Sequence, residues 1–291
     1  MTAPNQQIPA VYRRRIGDII VTALGDGVAV RDHAMMHGVS EEAGEAHLRA
    51  AFRDRFVLSI NTFLIHSAGR LALIDTGSGD YLGPDAGRLA ANLTAAGIAP
   101  GAIDTILLTH MHPDHSAGLT DRATGAPHYP NAELVVHENE PRHWFDDAAM
   151  ARANEREREF MFQQARDQTA PYLKGMRTFT EGEVFPGVTA LPCPGHTPGH
   201  TAYLVDSGGE SLLIWGDIVH IPEVQVANPE VTMVVDVDPA MAAASRARMF
   251  DMAASERLLI TGMHLHYPGF GHITRGDDSW RFVPEAWVQS F

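Results

Sequence analysis

Thr109-His110-Met111-His112-Pro113-Asp114-His115 decides the reading of this chain. From His110 to His115, six residues hold three imidazoles and a carboxylate, directly after the apolar run Ile103 to Leu108. Ile106-Leu107-Leu108 reads as a buried strand, so the ligand-type residues sit where that strand opens into a loop. Side chains alternate along an extended segment, which projects His110 and His112 to one side. Pro113 turns the chain, and Asp114 and His115 follow. Neutral imidazole and carboxylate are the donors that hold zinc and related ions. Crowded together without a positive charge, they would repel or waste desolvation energy. The plain alternative is a histidine-rich surface loop.

Three further segments weigh against that alternative. The apolar run Val188 to Leu191 leads to Pro194-Gly195-His196-Thr197-Pro198-Gly199-His200. Leu213-Ile214-Trp215-Gly216-Asp217 is an apolar strand ending on a carboxylate, and Leu258-Leu259-Ile260-Thr261-Gly262-Met263-His264 is one ending on a histidine. A lone aspartate after a strand is usually a turn residue, and a lone histidine is usually a satisfied surface or core group. Four strand ends delivering such groups together point to a metal site. His266 competes with His264, since both can face the same way on an extended segment.

Composition narrows the function. The chain has 291 residues, 45% hydrophobic and 20% charged, an ordinary globular balance. No Ser/Gly/Pro-rich linker divides it, so residues 1–291 read as one domain, with 1–16 as an N-terminal extension. A net charge of -14 argues against nucleic acid and against anionic membrane surfaces. No apolar run reaches transmembrane length. After Arg13-Arg14-Arg15 the apolar stretch is broken by Asp18 and Asp26, so the chain as written reads as cytoplasmic, with an exported form lacking its leader as the alternative. The single cysteine, Cys193, excludes an intramolecular disulfide and reads as a small buried residue shaping the Pro194–His200 loop. There is no nucleophile elbow, P-loop or dinucleotide fingerprint.

Strand-like runs fall at 19–24, 56–66, 71–75, 103–109, 134–137, 184–191, 202–205, 212–215 and 258–260. Helical spacing falls at 41–52, 84–96, 146–172 and 239–254. Strands interleaved with helices imply sheets covered by helices.

The ordered set HxHxDH, PGHTPGH, Gly216-Asp217 and a late histidine resembles the metallo-β-lactamase superfamily. The resemblance implies an α+β fold, an αββα sandwich with a dinuclear metal site at its edge. It implies one site from His110, His112 and His196, a second from Asp114, His115 and His264, and Asp217 bridging the two. Ile8-Pro9-Ala10-Val11-Tyr12, Asn61-Thr62-Phe63-Leu64, Trp215-Gly216-Asp217-Ile218-Val219-His220 and the tail from His264 to His272 look like methyl parathion hydrolases and their lactonase relatives. That branch implies two divalent ions, zinc by default with manganese, cobalt, iron or nickel as alternatives, and a metal-bridging hydroxide as nucleophile. Asp114 is then a proton acceptor as well as a ligand. The implied substrates are lactones such as acyl-homoserine lactones and related esters, with phosphotriesters as a side activity, and the implied assembly is a homodimer. A methyl parathion-type organophosphate hydrolase, or a thioester or β-lactam hydrolase, is the alternative. Trp144 falls where the branch places an aromatic pocket residue; Leu82, Phe160, Phe162 and His220 are the other pocket candidates. Aliphatic Leu82 tilts the reading toward lactones. Orienting partners for the imidazoles are expected at Asp75 and, more weakly, at Thr109, His220 and His272.

Overall fold

Alternating and continuous runs of Val, Ile, Leu and Phe build two seven-stranded sheets. The computed structural model describes residues 3–4, 7–277 and 279–289. In chain order the first sheet holds β1 (Val11–Ile16), β2 (Ile19–Arg31), β3 (Phe56–Ser67), β4 (Arg70–Ile74), β5 (Thr105–Leu107), β6 (Glu133–His137) and β7 (Arg177–Phe179). These strands neighbour one another in that same order. The second holds β8 (Gly182–Phe185), β9 (Val188–Pro192), β10 (Thr201–Ser207), β11 (Glu210–Ile214), β12 (Leu259–Thr261), β13 (Gly271–Arg275) and β14 (Trp280–Pro284), again neighbours in order. β4 through β7 run parallel, as do β11 and β12; the other neighbours run antiparallel.

The two-residue side-chain period sorts each strand between layers. Phe63, Ile65, Ala72 and Ile74 of the first sheet share one core with Val188, Tyr203, Leu212 and Ile214 of the second. The intervening Leu64 and Leu73 face outward and pack with Leu89 and Leu93 of the helix Leu89–Ala95. Leu213 likewise faces outward onto Met249 and Phe250 of the helix Pro239–Ser255. The layers are therefore helix, sheet, sheet, helix, the expected αββα sandwich.

Several local expectations are corrected. Val11–Ile16 is not part of an extension: it pairs with β2 over its full length and belongs to the first sheet. The run 184–191 is a hairpin, split at Gly187, whose φ of 72° suits glycine. The helix expected over 84–96 starts at Leu89, after a turn with Gly83 and Gly87 at positive φ. The long helix expected over 146–172 is broken. Asn154 accepts the Glu157 N–H and the Glu157 side chain accepts the Asn154 N–H, a capping box that starts a new helix inside the charged run. A π-helical segment, Arg158–Gln163, follows and then a helix over Gln164–Thr169. The tail strands β13 and β14 were not foreseen.

The packing brings one strand end against another. Asp75, just past β4, adopts φ 58°, and Thr76 donates its N–H and hydroxyl to the His115 carbonyl at 2.7 and 2.9 Å. Gly118 permits this approach, because a Cβ there would lie 1.9 Å from the Thr76 carbonyl oxygen. Gly118→Ala must separate the two segments and should cost roughly 1–3 kcal/mol. A urea midpoint lowered at unchanged m-value is the expected result; an unchanged midpoint would mean the two loops part freely.

Candidate metal centre

Each candidate ligand stands just beyond a strand. His110 to His115 follow β5, His196 lies between β9 and β10, Asp217 follows β11 and His264 follows β12. All are buried except Asp114, which is partly open. His196 Nε2 lies 2.9 Å from His112 Nδ1 and 3.2 Å from His110 Nε2, so three ring nitrogens converge in one nest. Beside it, Asp114 reaches His115 Nε2 and His264 Nε2, each at 3.6 Å, forming a second. Asp217 joins the two: Oδ2 is 3.2 Å from His196 Nε2 and 3.1 Å from His264 Nε2, while Oδ1 is 3.2 Å from His115 Nε2.

The remaining ring nitrogens show whether a cation fits. His115 Nδ1 donates to Asp75 Oδ2 at 2.7 Å, His196 Nδ1 to Asp236 Oδ1 at 2.7 Å, and His264 Nδ1 to the Ser59 carbonyl at 2.6 Å. The Thr109 hydroxyl gives its proton to Asp75 Oδ2 and so accepts from His110 Nδ1 at 3.0 Å. Those four imidazoles, when neutral, carry their Nε2 lone pairs into the cluster. Facing lone pairs repel at such distances unless something positive lies among them. The Nε2 of His115 and the Oδ1 of Asp217 are buried without a hydrogen-bond partner. The donor set, the fixed tautomers and the orphaned atoms all suit divalent cations of the zinc type.

The electrostatics agree. Burial alone would raise the Asp217 carboxyl, but His115, His264, His110 and His220 outweigh it and hold the group well below the usual carboxylate range. Burial likewise works against charged His196, yet hydrogen bonds to Asp217 and Asp236 lift it to about 9. Without a metal, protons held on His115 and His196 balance the carboxylate charge, and cation uptake must displace them, so metal affinity falls as pH is lowered.

The profile of the Metallo-beta-lactamase superfamily matches residues 55–255. The chain belongs to this superfamily. The crystal structure of hydrolase AbOPH "in beta lactamase superfamily" is 31% identical, with a TM-score of 0.92 over 98% of this chain and 100% of that one. AidC, a dizinc quorum-quenching lactonase solved with a product, is 24% identical with a TM-score of 0.88 over 97% and 99% of the two chains, a likeness of fold. The N-acyl homoserine lactonase of Bacillus thuringiensis is 27% identical over 194 residues, 66% of this chain and 65% of that one. The uncharacterized protein YobT of Bacillus subtilis is 29% identical over 160 residues, and the match spans 61% of it. The chain therefore spans somewhat under two thirds of these curated relatives.

Groups behind metal ligands set the geometry of those ligands. Asp75 and Thr109 take the orienting roles foreseen for them. His266 bonds Glu223 and Ser59 and points away from the cluster, whereas His264 points in. His272 donates to the Leu258 carbonyl and serves the sheet. His200, Asp236 and Glu140 were missed. His200 accepts the Asp217 N–H at 2.8 Å and donates to the Cys193 carbonyl; burial, reinforced by His196, drives it down to about 3. Only its place in PGHTPGH signalled it. Cys193 is buried and its thiol is pushed up by that burial to about 11, an inert packing residue as expected.

The pocket candidates divide. Leu82, Phe160 and His220 line a narrow cleft over the ligands, together with Met161, Met233 and Val235. Trp144 and Phe162 belong mainly to the outer core, their rings 5.0 Å apart. Trp144 backs His112 at 5.3 Å, and with Phe162 it lines a chamber of about 370 Å³ next to the cleft. His220 stacks on His264, and both its ring nitrogens are buried without a hydrogen-bond partner.

His264→Ala should lose about one zinc per chain, and His266→Ala should keep both, as counted by elemental analysis after gel filtration. The reverse result would exchange the two assignments.

Proposed function

We propose that this hydrolase opens lactones or related carboxylic esters carrying apolar acyl or aryl groups, acyl-homoserine lactones being the model class. One observation carries the reading: the paired ligand nests form the floor of an apolar cleft that adjoins a chamber of about 370 Å³, within the usual range for small-molecule sites. Leu82, Phe160, Met161, Met233 and Val235 offer surface to an acyl chain or aromatic ring, and Arg31 and Arg156 are the two cationic side chains in the same lining. The named lactonases among its relatives support the same class.

Two zinc-type ions held by His110, His112, His196, Asp114, His115, Asp217 and His264 would supply an acidified water and polarise the substrate carbonyl. The chain's own groups do the rest. Asp217, fully enclosed by imidazoles, holds the two nests in register. Asp114 is the more open carboxylate, its side chain 17% exposed against 2% for Asp217, so it is the one able to take up and release a proton at the cleft. The apolar walls exclude bulk water and place the ester carbon over the nests.

Asp114→Asn should then lower turnover of a lactone by roughly a hundredfold or more, the usual scale for a general acid–base group, with a much smaller loss of bound metal. Equal loss of both would leave Asp114 as a ligand only. Proton release from zinc-loaded enzyme, followed in a pH-stat, tests the substrate class: kcat/KM for an acyl-homoserine lactone should far exceed that for methyl paraoxon. Preference for the phosphotriester would mean the cleft is built for tetrahedral phosphorus and would overturn the lactone reading.

A further inference from the structure

Glu140 is a buried carboxylate that, among the described residues, neither touches the cleft nor pairs with a cation. It sits on the short helix Asn139–Trp144 and is 0% exposed. Its Oε2 accepts the Met111 N–H at 2.9 Å and the Trp144 indole N–H at 2.8 Å. Its Oε1 accepts the Gly199 N–H at 2.8 Å and the Thr197 hydroxyl at 2.5 Å. Two donors on each oxygen saturate a carboxylate. Burial raises its carboxyl, and the bonds from Thr197, Trp144, Met111 and Gly199 offset only part of that rise. A buried charge without a counter-ion is costly unless fully hydrogen-bonded, and this one is.

The positions of the donors matter more than their number. Met111 lies between His110 and His112, while Thr197 and Gly199 follow His196. One carboxylate therefore links the two loops that supply the three-histidine nest, one loop to each oxygen. The contact is tight: a Cβ on Gly199 would lie 2.8 Å from the Glu140 side chain and backbone, so only glycine lets the loop close on it. The other nest is fixed by different groups, Asp75 behind His115 and the Ser59 carbonyl behind His264.

We propose that Glu140 is a positioning residue, a clasp that sets the spacing of His110 and His112 from His196 and so selectively governs metal loading of the three-histidine nest. This rests on the two-metal reading above. An uncharged amide cannot substitute for it. Turned toward Thr197, a glutamine NH2 could be accepted by the hydroxyl but would face the Gly199 N–H. Turned the other way, it would face two obligate donors, Met111 N–H and the Trp144 indole. Either placement pushes the loops apart.

The test is zinc titration of metal-free protein, with bound metal counted after gel filtration and the visible absorption of cobalt-loaded protein recorded alongside. Wild-type protein should take two equivalents. Glu140→Gln should weaken one of them roughly 10–100-fold, the scale for loss of a group that orients metal ligands, and alter the cobalt bands of that site, leaving the other within about twofold. In a His264→Ala background, where only the three-histidine nest remains intact, the same substitution should weaken the surviving equivalent. Asp26→Asn is the matched control: this buried carboxylate also takes several donors, from Ser78, Gly87 and Leu89, but none from the histidine loops. It should lower the melting temperature and retain both metals. Should Glu140→Gln fail to fold, Thr197→Val removes one donor at constant shape and should weaken the same nest to a smaller degree. Wild-type affinity at both nests in a folded clasp variant would overturn the proposal, as would a loss shared equally by Asp26→Asn. Wild-type protein that takes no second equivalent would instead overturn the two-metal reading, and the proposal with it.

Discussion

The facing of imidazole lone pairs is the constraint on which the rest depends. His112 Nδ1, His196 Nε2 and His110 Nε2 lie within 2.9 and 3.2 Å steps of one another, while Asp217 sits among the neighbouring rings. Such an assembly is unfavourable for a bare protein. Four of the rings, His110, His115, His196 and His264, are held by a second bond on the far side, to Thr109, Asp75, Asp236 and the Ser59 carbonyl, and divalent cations would offset the repulsion. The fold can thus be understood as a device for holding donors that repel one another at fixed places.

Neither sheet does this alone. The first provides the His110–His115 loop, and the second provides His196, Asp217 and His264. Cross-sheet bonds keep the two in register next to the site. Asn61 on β3 donates through its side chain to the carbonyls of Met263 and Leu265 at 3.0 and 2.7 Å, and Tyr203 on β10 donates to the Leu108 carbonyl at 2.6 Å. Thr201 N–H donates to the Thr109 carbonyl at 2.9 Å. These polar ties lie at the rim of the apolar core that both sheets share, so burial of that core and closure of the site are one event.

The side chains that the structure clusters were legible in the sequence as candidate ligands because each combines two local signals, an apolar run and a donor-type side chain near its end. Strands interleaved with helices implied sheets covered by helices, and the resemblance to the superfamily supplied the αββα arrangement. What was not legible depends on tertiary partners. Nothing near Glu140 in Asn139-Glu140-Pro141 distinguishes it from a solvated helix residue; its role exists only because two distant loops converge on it. Asp236 is similar: its meaning comes from His196, 40 positions away. The charged run around Glu155 shows the opposite failure. Helical spacing was read as one long element, but the Asn154 capping box restarted the helix there. Val11–Ile16 fell within the expected extension, yet it is a strand whose Arg14 pairs with Glu285 at the far end of the chain, a partner no local window contains.

The division between floor and wall has a functional consequence. The floor is built from strand ends clamped by buried hydrogen bonds, and a displacement there moves the candidate ligands themselves. The wall over it comes from different material: the Leu82 turn, the Met233–Val235 segment and the π-helical segment carrying Phe160 and Met161. A π-helical turn holds an extra residue within the helix, a geometry that a single insertion or deletion can undo. Changes of that kind would reshape the cleft without moving a ligand. The chemistry is thus fixed by the sandwich, whereas the choice of substrate rests on a few side chains whose contacts carry no coordination.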